Sequence, residues 1–285
     1  ANLLVEGNKI NEKLKDEKRV LHSTQSPPSI VPVYAGYLYT SGFFNTYDLI
    51  EDSNGTLHVA YTTVSSTYIY YGVFNGTYWN TTFVGNGDEP SISTDQNGII
   101  RIAYYNLTNK DLEIKSFDGL TWSSKQILDS LGDVGRNANS VIDSNNNLHI
   151  IYVNDQSTSL RYTSFDGASW SSPINIDYNG LHYFDYVSVD IDSNDNIHVS
   201  YRSTENYELK YVSKTANSWT TPVVIDDNGY VGKSSSIAAD SNGNVSIVHL
   251  NNQTGEIKYN EKSNGNWIGN QSTFQPISNI SDCYS

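Results

Sequence analysis

The stretch DSNGTLHVAY, residues 52–61, decides the fold. Polar turn formers come first, from Asp52 to Gly55, and then Leu57, Val59 and Tyr61 stand at alternate positions. Period two marks a strand with one apolar face, and an Asn/Gly cluster ahead of it marks a tight turn. The string returns as DQNGIIRIAY from Asp95, DSNNNLHIIY from Asp143, DSNDNIHVSY from Asp192 and DSNGNVSIVH from Asp240. The steps between the aspartates are 43, 48, 49 and 48 residues. Trp79, Trp122, Trp170, Trp219 and Trp267 each lie 27 residues after their own Asp, with no insertion in any copy.

Three more alternating segments accompany each copy. One precedes the Asp, as at Ser235-Ser-Ile-Ala-Ala. One carries Ile69, Leu112, Leu160, Leu209 and Ile257, and one begins at each Trp. Four antiparallel strands in 43–49 residues make one propeller blade. A single blade cannot bury both of its faces, and radial stacking covers each with the next. The expected fold is therefore an all-β propeller of four-stranded antiparallel blades. The expected count is five blades, or six if the termini build another. Complete repeats run over 45–275, inside one propeller domain at 29–285. Residues 276–282, PISNISD, echo PSISTD at 90–95, and residues 29–34, SIVPVY, read as an outer strand. The two ends are expected to close the ring, or else to exchange with a neighbouring molecule. Residues 1–28 hold five of the 17 basic residues and read as a charged arm or linker.

Composition agrees with strands and turns. The 285-residue chain is 12% aromatic, with 22 Tyr, and contains no Met. Its net charge of −14 disfavours nucleic acid as a partner. No apolar run is long enough to span a membrane. The single cysteine, Cys283, leaves no internal disulfide and no cysteine-based zinc site. Eight Asn-x-Ser/Thr sequons occur, a number close to chance for this content of Asn, Ser and Thr. Low Cys, abundant Asn, Ser and Thr, and an acidic surface lean towards an extracellular or cell-surface glycoprotein.

In a propeller, the blade-to-blade loops share one face with the loops joining second and third strands. These are the variable segments here, and binding lives on variable loops held by a rigid scaffold. The candidate ligand-binding residues are Asp88, Glu89, Arg136, Tyr178, His182, Tyr183, Asp185, Tyr186, Asp227 and Tyr230. Aromatic planes beside carboxylates and a histidine suit a sugar, whose C–H face stacks while its hydroxyls take hydrogen bonds. No catalytic residue, metal site or cofactor is assigned. The Asp-Ser-Asn turns have the one-three-five oxygen spacing of calcium loops but lack a closing acid, so they read as turn chemistry. His58, His149 and His198 recur one per blade and read as packing residues. Arg161, Lys115, Lys210 and Lys258 are likewise read as one structural position.

The segments Ser116-Phe-Asp118-Gly119-Leu-Thr-Trp122 and Ser164-Phe-Asp166-Gly167-Ala-Ser-Trp170 resemble the Asp-box turns of the sialidase superfamily, shortened by one residue between Asp and Gly. The other three repeats lose the Asp or the Gly. The resemblance implies a propeller. Enzymes of that superfamily use three arginines and a Tyr–Glu pair. Here only Arg101, Arg136 and Arg202 remain outside the arm and the structural position, and no motif groups them. A second resemblance is to five-bladed lectins and to arabinan-cleaving glycosidases. The expected function is non-catalytic binding of glycans or another surface polymer. The alternatives are an adhesive subunit that assembles through its termini, and a glycoside hydrolase or lyase using loop carboxylates.

Overall fold

The structure, a computed structural model, describes residues 44–63, 67–178, 186–216 and 218–274. All its regular structure is strand, arranged in five antiparallel sheets. Blade 1 holds β1 (Phe44–Glu51), β2 (Leu57–Thr63), β3 (Tyr68–Phe74) and β4 (Trp79–Asn86). Blade 2 holds β5 (Asp88–Thr94), β6 (Ile100–Asn106), β7 (Asp111–Phe117) and β8 (Gln126–Asp129). Blade 3 holds β9 (Val134–Ile142), β10 (Leu148–Asn154), β11 (Ser159–Phe165) and β12 (Ile174–Asp177). Blade 4 holds β13 (Val187–Ile191), β14 (Ile197–Ser203), β15 (Glu208–Thr215), a short β16 (Ser218–Trp219) and β17 (Val223–Asp226). Blade 5 holds β18 (Lys233–Ala239), β19 (Val245–Leu250), β20 (Ile257–Ser263) and β21 (Asn266–Phe274).

The expected strands are present with one difference. In blades 2, 3 and 4 the outer strand does not run on from the tryptophan; in blade 4 the two-residue β16 ends at Trp219 and pairing resumes at Val223. Trp122 and Trp170 make single bridges to Phe117 and Phe165, and pairing resumes at Gln126 and Ile174. The intervening SSK and SSP segments turn a hydroxyl back onto the ladder, and Ser171 Oγ accepts from the Ser164 amide at 2.9 Å. The turns before each second strand are built by their aspartate. Asp143 Oδ1 accepts the amides of Asn145 and Asn147, and Asp192 and Asp240 repeat the pattern. These oxygens serve the turn itself, as the sequence reading proposed. Burial works against the Asp143 carboxylate, but hydrogen bonds from Asn147, His149 and Asn145 outweigh it and hold its pKa below the ordinary range.

Among the described residues four cores lie between successive blades, one for each pair from blades 1 and 2 to blades 4 and 5. Between blades 1 and 2, Ala60, Ile69 and Tyr71 meet Ile92, Ile100, Ile102 and Tyr104. Each buried side chain of this size contributes about 1.5–3 kcal/mol. Further out, the tryptophan of one blade stands edge-on to a tyrosine of the blade before. Trp122 lies 5.4 Å from Tyr71, Trp219 5.1 Å from Tyr162, and Trp267 4.9 Å from Tyr211. The histidines pack as expected: Nδ1 of His58, His149 and His198 lies 2.7 Å from the hydroxyl of Tyr71, Tyr162 and Tyr211.

Polar locks join the blades as well. Asp129, ending β8, accepts from Tyr152 Oη at 2.6 Å and pairs with Arg161 at 2.6 Å, both from blade 3. Asp177 holds Tyr201 and Lys210, and Asp226 holds Lys258, in the same way. Lys115 does not share this position. Glu113 stands opposite Tyr104 where Arg161 stands opposite Tyr152, and the Lys115 amine instead reaches the Val84 carbonyl at 2.7 Å.

Candidate functional site

The inner strands bulge near their loop-side ends, and the bulge recurs. Register shifts fall between Asp88 and Ser91, and between Lys233 and Ser236; opposite β9 the shift falls between Ile151 and Val153. The bulge leaves Glu89, Asn137 and Ser234 in the left-handed region, at φ of 52°, 48° and 50°. Such a bulge re-aims the neighbouring side chains towards the mouth of the ring. Gly135, at φ 105°, lets the start of β9 lie on β7, since a Cβ there would stand 2.8 Å from Leu112 Cα.

Of the sequence candidates, Asp88, Glu89 and Arg136 are brought together at this mouth. Asp88 Oδ1 accepts from the hydroxyls of Thr46 and Thr62 at 2.8 and 3.1 Å. Glu89 Oε2 accepts the Asn137 amide at 2.6 Å, and its Oε1 lies 3.7 Å from Arg136 Nη1. The Arg136 guanidinium sits 4.1 Å over the Tyr105 ring, and Tyr105 donates to Asp133 at 2.7 Å. Burial pushes the Glu89 carboxyl up to about 7, against the pull of the Asn137 amide and Arg136.

Tyr230 belongs to a separate cluster at blades 4 and 5. Its ring lies 4.5 Å from that of Tyr207, and Arg202 stands 4.8 Å over Tyr207. Both tyrosines are exposed. Asp227 is exposed on the same β17–β18 loop as Tyr230, and Tyr178 is exposed after Asp177. Tyr186 is partly buried, and its carbonyl lies 3.5 Å from Ser235 Oγ. His182, Tyr183 and Asp185 lie outside the described residues. The sequence reading missed Tyr207, which sits in a short β14–β15 loop and not in a blade-to-blade loop.

A second region lies at the opposite, turn-bearing ends of the strands. There a groove of about 500 Å³ opens between blades 3 and 4. His149 and Tyr162 line it, with Asp143, Asp166, Ser171 and Phe165 from blade 3, and Asn194, Asp195 and Lys214 from blade 4. Asp195 reaches back to blade 3, accepting from the Ser144 amide at 2.8 Å and its hydroxyl at 2.6 Å. The amine of Lys214 donates to the Ala216 carbonyl at 2.7 Å, and desolvation lowers its pKa.

The signal for this groove was present in the repeats. Position 22 after the Asp is Phe74, Phe117 and Phe165 in blades 1–3 but Lys214 and Lys262 in blades 4 and 5. Phe117 plugs the gap between blades 1 and 2, with its ring 5.8 Å from Tyr71. Phe165 lies 5.8 Å from the Arg101 guanidinium. A lysine there brings a thinner stem and a polar head, so the gap stays open.

No protein-family model matches the chain, and no curated protein matches it. Solved structures do. The six-bladed lectin of Aleuria aurantia, described with a fucose recognition mode, aligns at a TM-score of 0.59 and 13% identity, covering 81% of this chain and 78% of that one. SapL1 lectin, solved with α-methyl fucoside, aligns at 0.57 and 12%, covering 81% of each. NanB sialidase from Streptococcus pneumoniae aligns at 0.56 and 12%, covering 88% of this chain and 62% of that one. The chain spans 57% of the Hadza microbial sialidase Hz136, another such neighbour. At this level of identity the likeness is one of fold, and the fold is a β-propeller of the kind these sialidases and lectins share.

Proposed function

We propose that this protein is a non-catalytic β-propeller that binds glycans or a related surface polymer, outside the cell or at its surface. The observation that carries the reading is the groove between blades 3 and 4. It has the volume of a small-ligand site and is lined by carboxylates, hydroxyls, a histidine and an amine together with the rings of Tyr162 and Phe165. That inventory matches the donors and acceptors of a sugar. The exposed Tyr207–Tyr230 pair offers a second, stacking surface on the loop face, with the exposed Asp227 on the loop that carries Tyr230. The fucose-binding lectins of the same fold add to this reading.

The test borrows from the protein's own repeats. Lys214→Phe installs the residue that blades 1–3 carry, so the fold should tolerate it and the groove should close. On a glycan array the parent should bind and Lys214→Phe should lose at least about tenfold in affinity, a difference of about 1.4 kcal/mol. Unchanged binding would remove the groove from the reading, and release of free sugar would remove the non-catalytic part.

One observation favours the hydrolase alternative. A carboxyl pushed up to about 7, as Glu89 is, has the protonation a glycosidase acid needs. Hydrolysis of chromogenic glycosides that disappears in Glu89→Gln would establish that reading.

A further inference from the structure

The blades are not equally covered. Each blade turns one face towards the next, carrying the residues 8 and 17 positions after its Asp. In blades 1–4 the first of these positions is Ala60, Ala103, Ile151 and Ser200, at most 1% exposed. In blade 5 it is Val248, 42% exposed. The second is Ile69, Leu112, Leu160 and Leu209, all at 0%, against Ile257 at 40%. The inner strand of blade 1 shows the complementary pattern on its other face, although Val59 and Tyr61 of β2 on that face are buried. Leu49 is 37% exposed where Ile92 and Ile237 are buried, and Tyr47 is 57% exposed where Ala138 and Val187 are buried.

The inner strands tell the same story. They pack in the order β1, β5, β9, β13, β18, and no comparable contact joins β18 to β1 among the described residues. Three of these steps carry a repeated stitch or its variant. Asp48 accepts the Ile92 amide, Ser91 the Ser140 amide and Ser188 the Ile237 amide. Ser236 holds the same repeat position in β18 and is exposed.

We propose that the interval between blades 5 and 1 seats a sixth blade, and that this chain's own flanking segments, residues 29–34 and 276–282, supply strands to it. At least 43 residues precede β1 and at least 11 follow β21, no fewer than one repeat of 43–49 requires. The sequence PISNISD at 276–282 echoes the inner-strand sequence at 90–95, and its Ser278 stands four residues before Asp282, as Ser91 stands before Asp95. That strand would follow β18 in ring order and cover Val248 and Ile257. The proposal is independent of what the groove binds.

Thiol labelling of the full chain tests it. In a Cys283→Ser background, Val248→Cys and Val223→Cys each place one thiol at a site of equal exposure on the five described blades, 42%. Val223 lies on an outer strand and serves as the accessible reference. The expected result is that a maleimide modifies Val248→Cys at least about a hundredfold more slowly than Val223→Cys, in a monomer, independently of protein concentration. Adding Ile280→Asp, or separately Ile30→Asp, should bring the Val248→Cys rate to within about tenfold of the reference while near-ultraviolet circular dichroism is retained. Equal rates in the parent pair would overturn the proposal. So would protection that fades on dilution with a dimer mass, which would assign the interval to a second copy. Protection that ignores both Asp substitutions would assign it to some other segment and overturn it equally.

Discussion

Arg161→Met is the sharpest probe of how the blades are held together. Asp129 and Arg161 are both buried, with side-chain exposures of 1% and 8%, and meet at 2.6 Å across the blade 2–3 boundary. Methionine keeps most of the aliphatic stem but leaves the Asp129 carboxylate buried with only neutral donors such as the Tyr152 hydroxyl. Removing one partner of a buried pair costs about 3–5 kcal/mol, because the other charge stays out of water. For a domain of this size each kcal/mol is worth about 2–4 °C, so Tm should fall by about 6–20 °C. Lys110→Met is the control. Its amine pairs with Asp133 at 2.6 Å but its side chain is 58% exposed, so the loss should be about 0–1 kcal/mol. The double change Asp129→Leu with Arg161→Met should recover part of the loss, since it removes the stranded charge but leaves the buried Tyr152 hydroxyl without its acceptor. Thermal unfolding followed by circular dichroism, with urea midpoints alongside, reads all three. Equal effects of Arg161→Met and Lys110→Met, or a double variant worse than the single, would refute the argument.

Four further outcomes are expected, from the pH profile, Glu89, Gly135 and Trp219. Stability should fall as pH drops below 6.5, the ordinary histidine value, because burial lowers the pKa of His149, His198 and His249, so the unfolded chain takes up protons first. A second loss should follow in the acid range, as pH falls through the depressed pKa values of Asp143, Asp192 and Asp240, and urea midpoints across pH read both. Glu89 acts in the opposite sense: its carboxyl is raised from 4.5 to about 7, so the stability it contributes is present at low pH and lost as pH rises through that window. Glu89→Gln should therefore flatten this part of the profile, and an unchanged slope would argue against it. Gly135→Ala should destabilise by more than about 1 kcal/mol and by more than Gly76→Ala, since both sit at positive φ but only Gly135 faces Leu112, while nothing lies near Gly76. Trp219→Ala should cost about 3 kcal/mol in chemical denaturation, because its ring is partly exposed yet stands on Tyr162.

Much of the site was harder to read than the fold. Asp88, Glu89 and Arg136 converge because an inner-strand bulge aims them inward, and a bulge leaves no periodic trace in the sequence. Tyr230 was singled out from its loop, but its partner Tyr207 comes from a β14–β15 loop 23 residues earlier, and only the packing of blades 4 and 5 joins them. The groove at Lys214 was visible in principle as a lysine in a phenylalanine column. Its meaning depended on knowing that the column fills the space between blades.

Repetition is local information, and it determined the architecture. An aspartate that takes two turn amides, an apolar period of two and a tryptophan at constant distance are each set by the chain within a few residues or one hairpin, so the four-stranded blade could be read directly from the text. What the blades do to one another is not local. Which Asp meets which arginine, which gap a side chain plugs or leaves open, and which faces remain uncovered all depend on contacts between residues about 30 to 50 positions apart, as when Asp129 meets Arg161 or Asp195 reaches Ser144. Those contacts exist only once neighbouring sheets have packed, and the tertiary structure alone decided them.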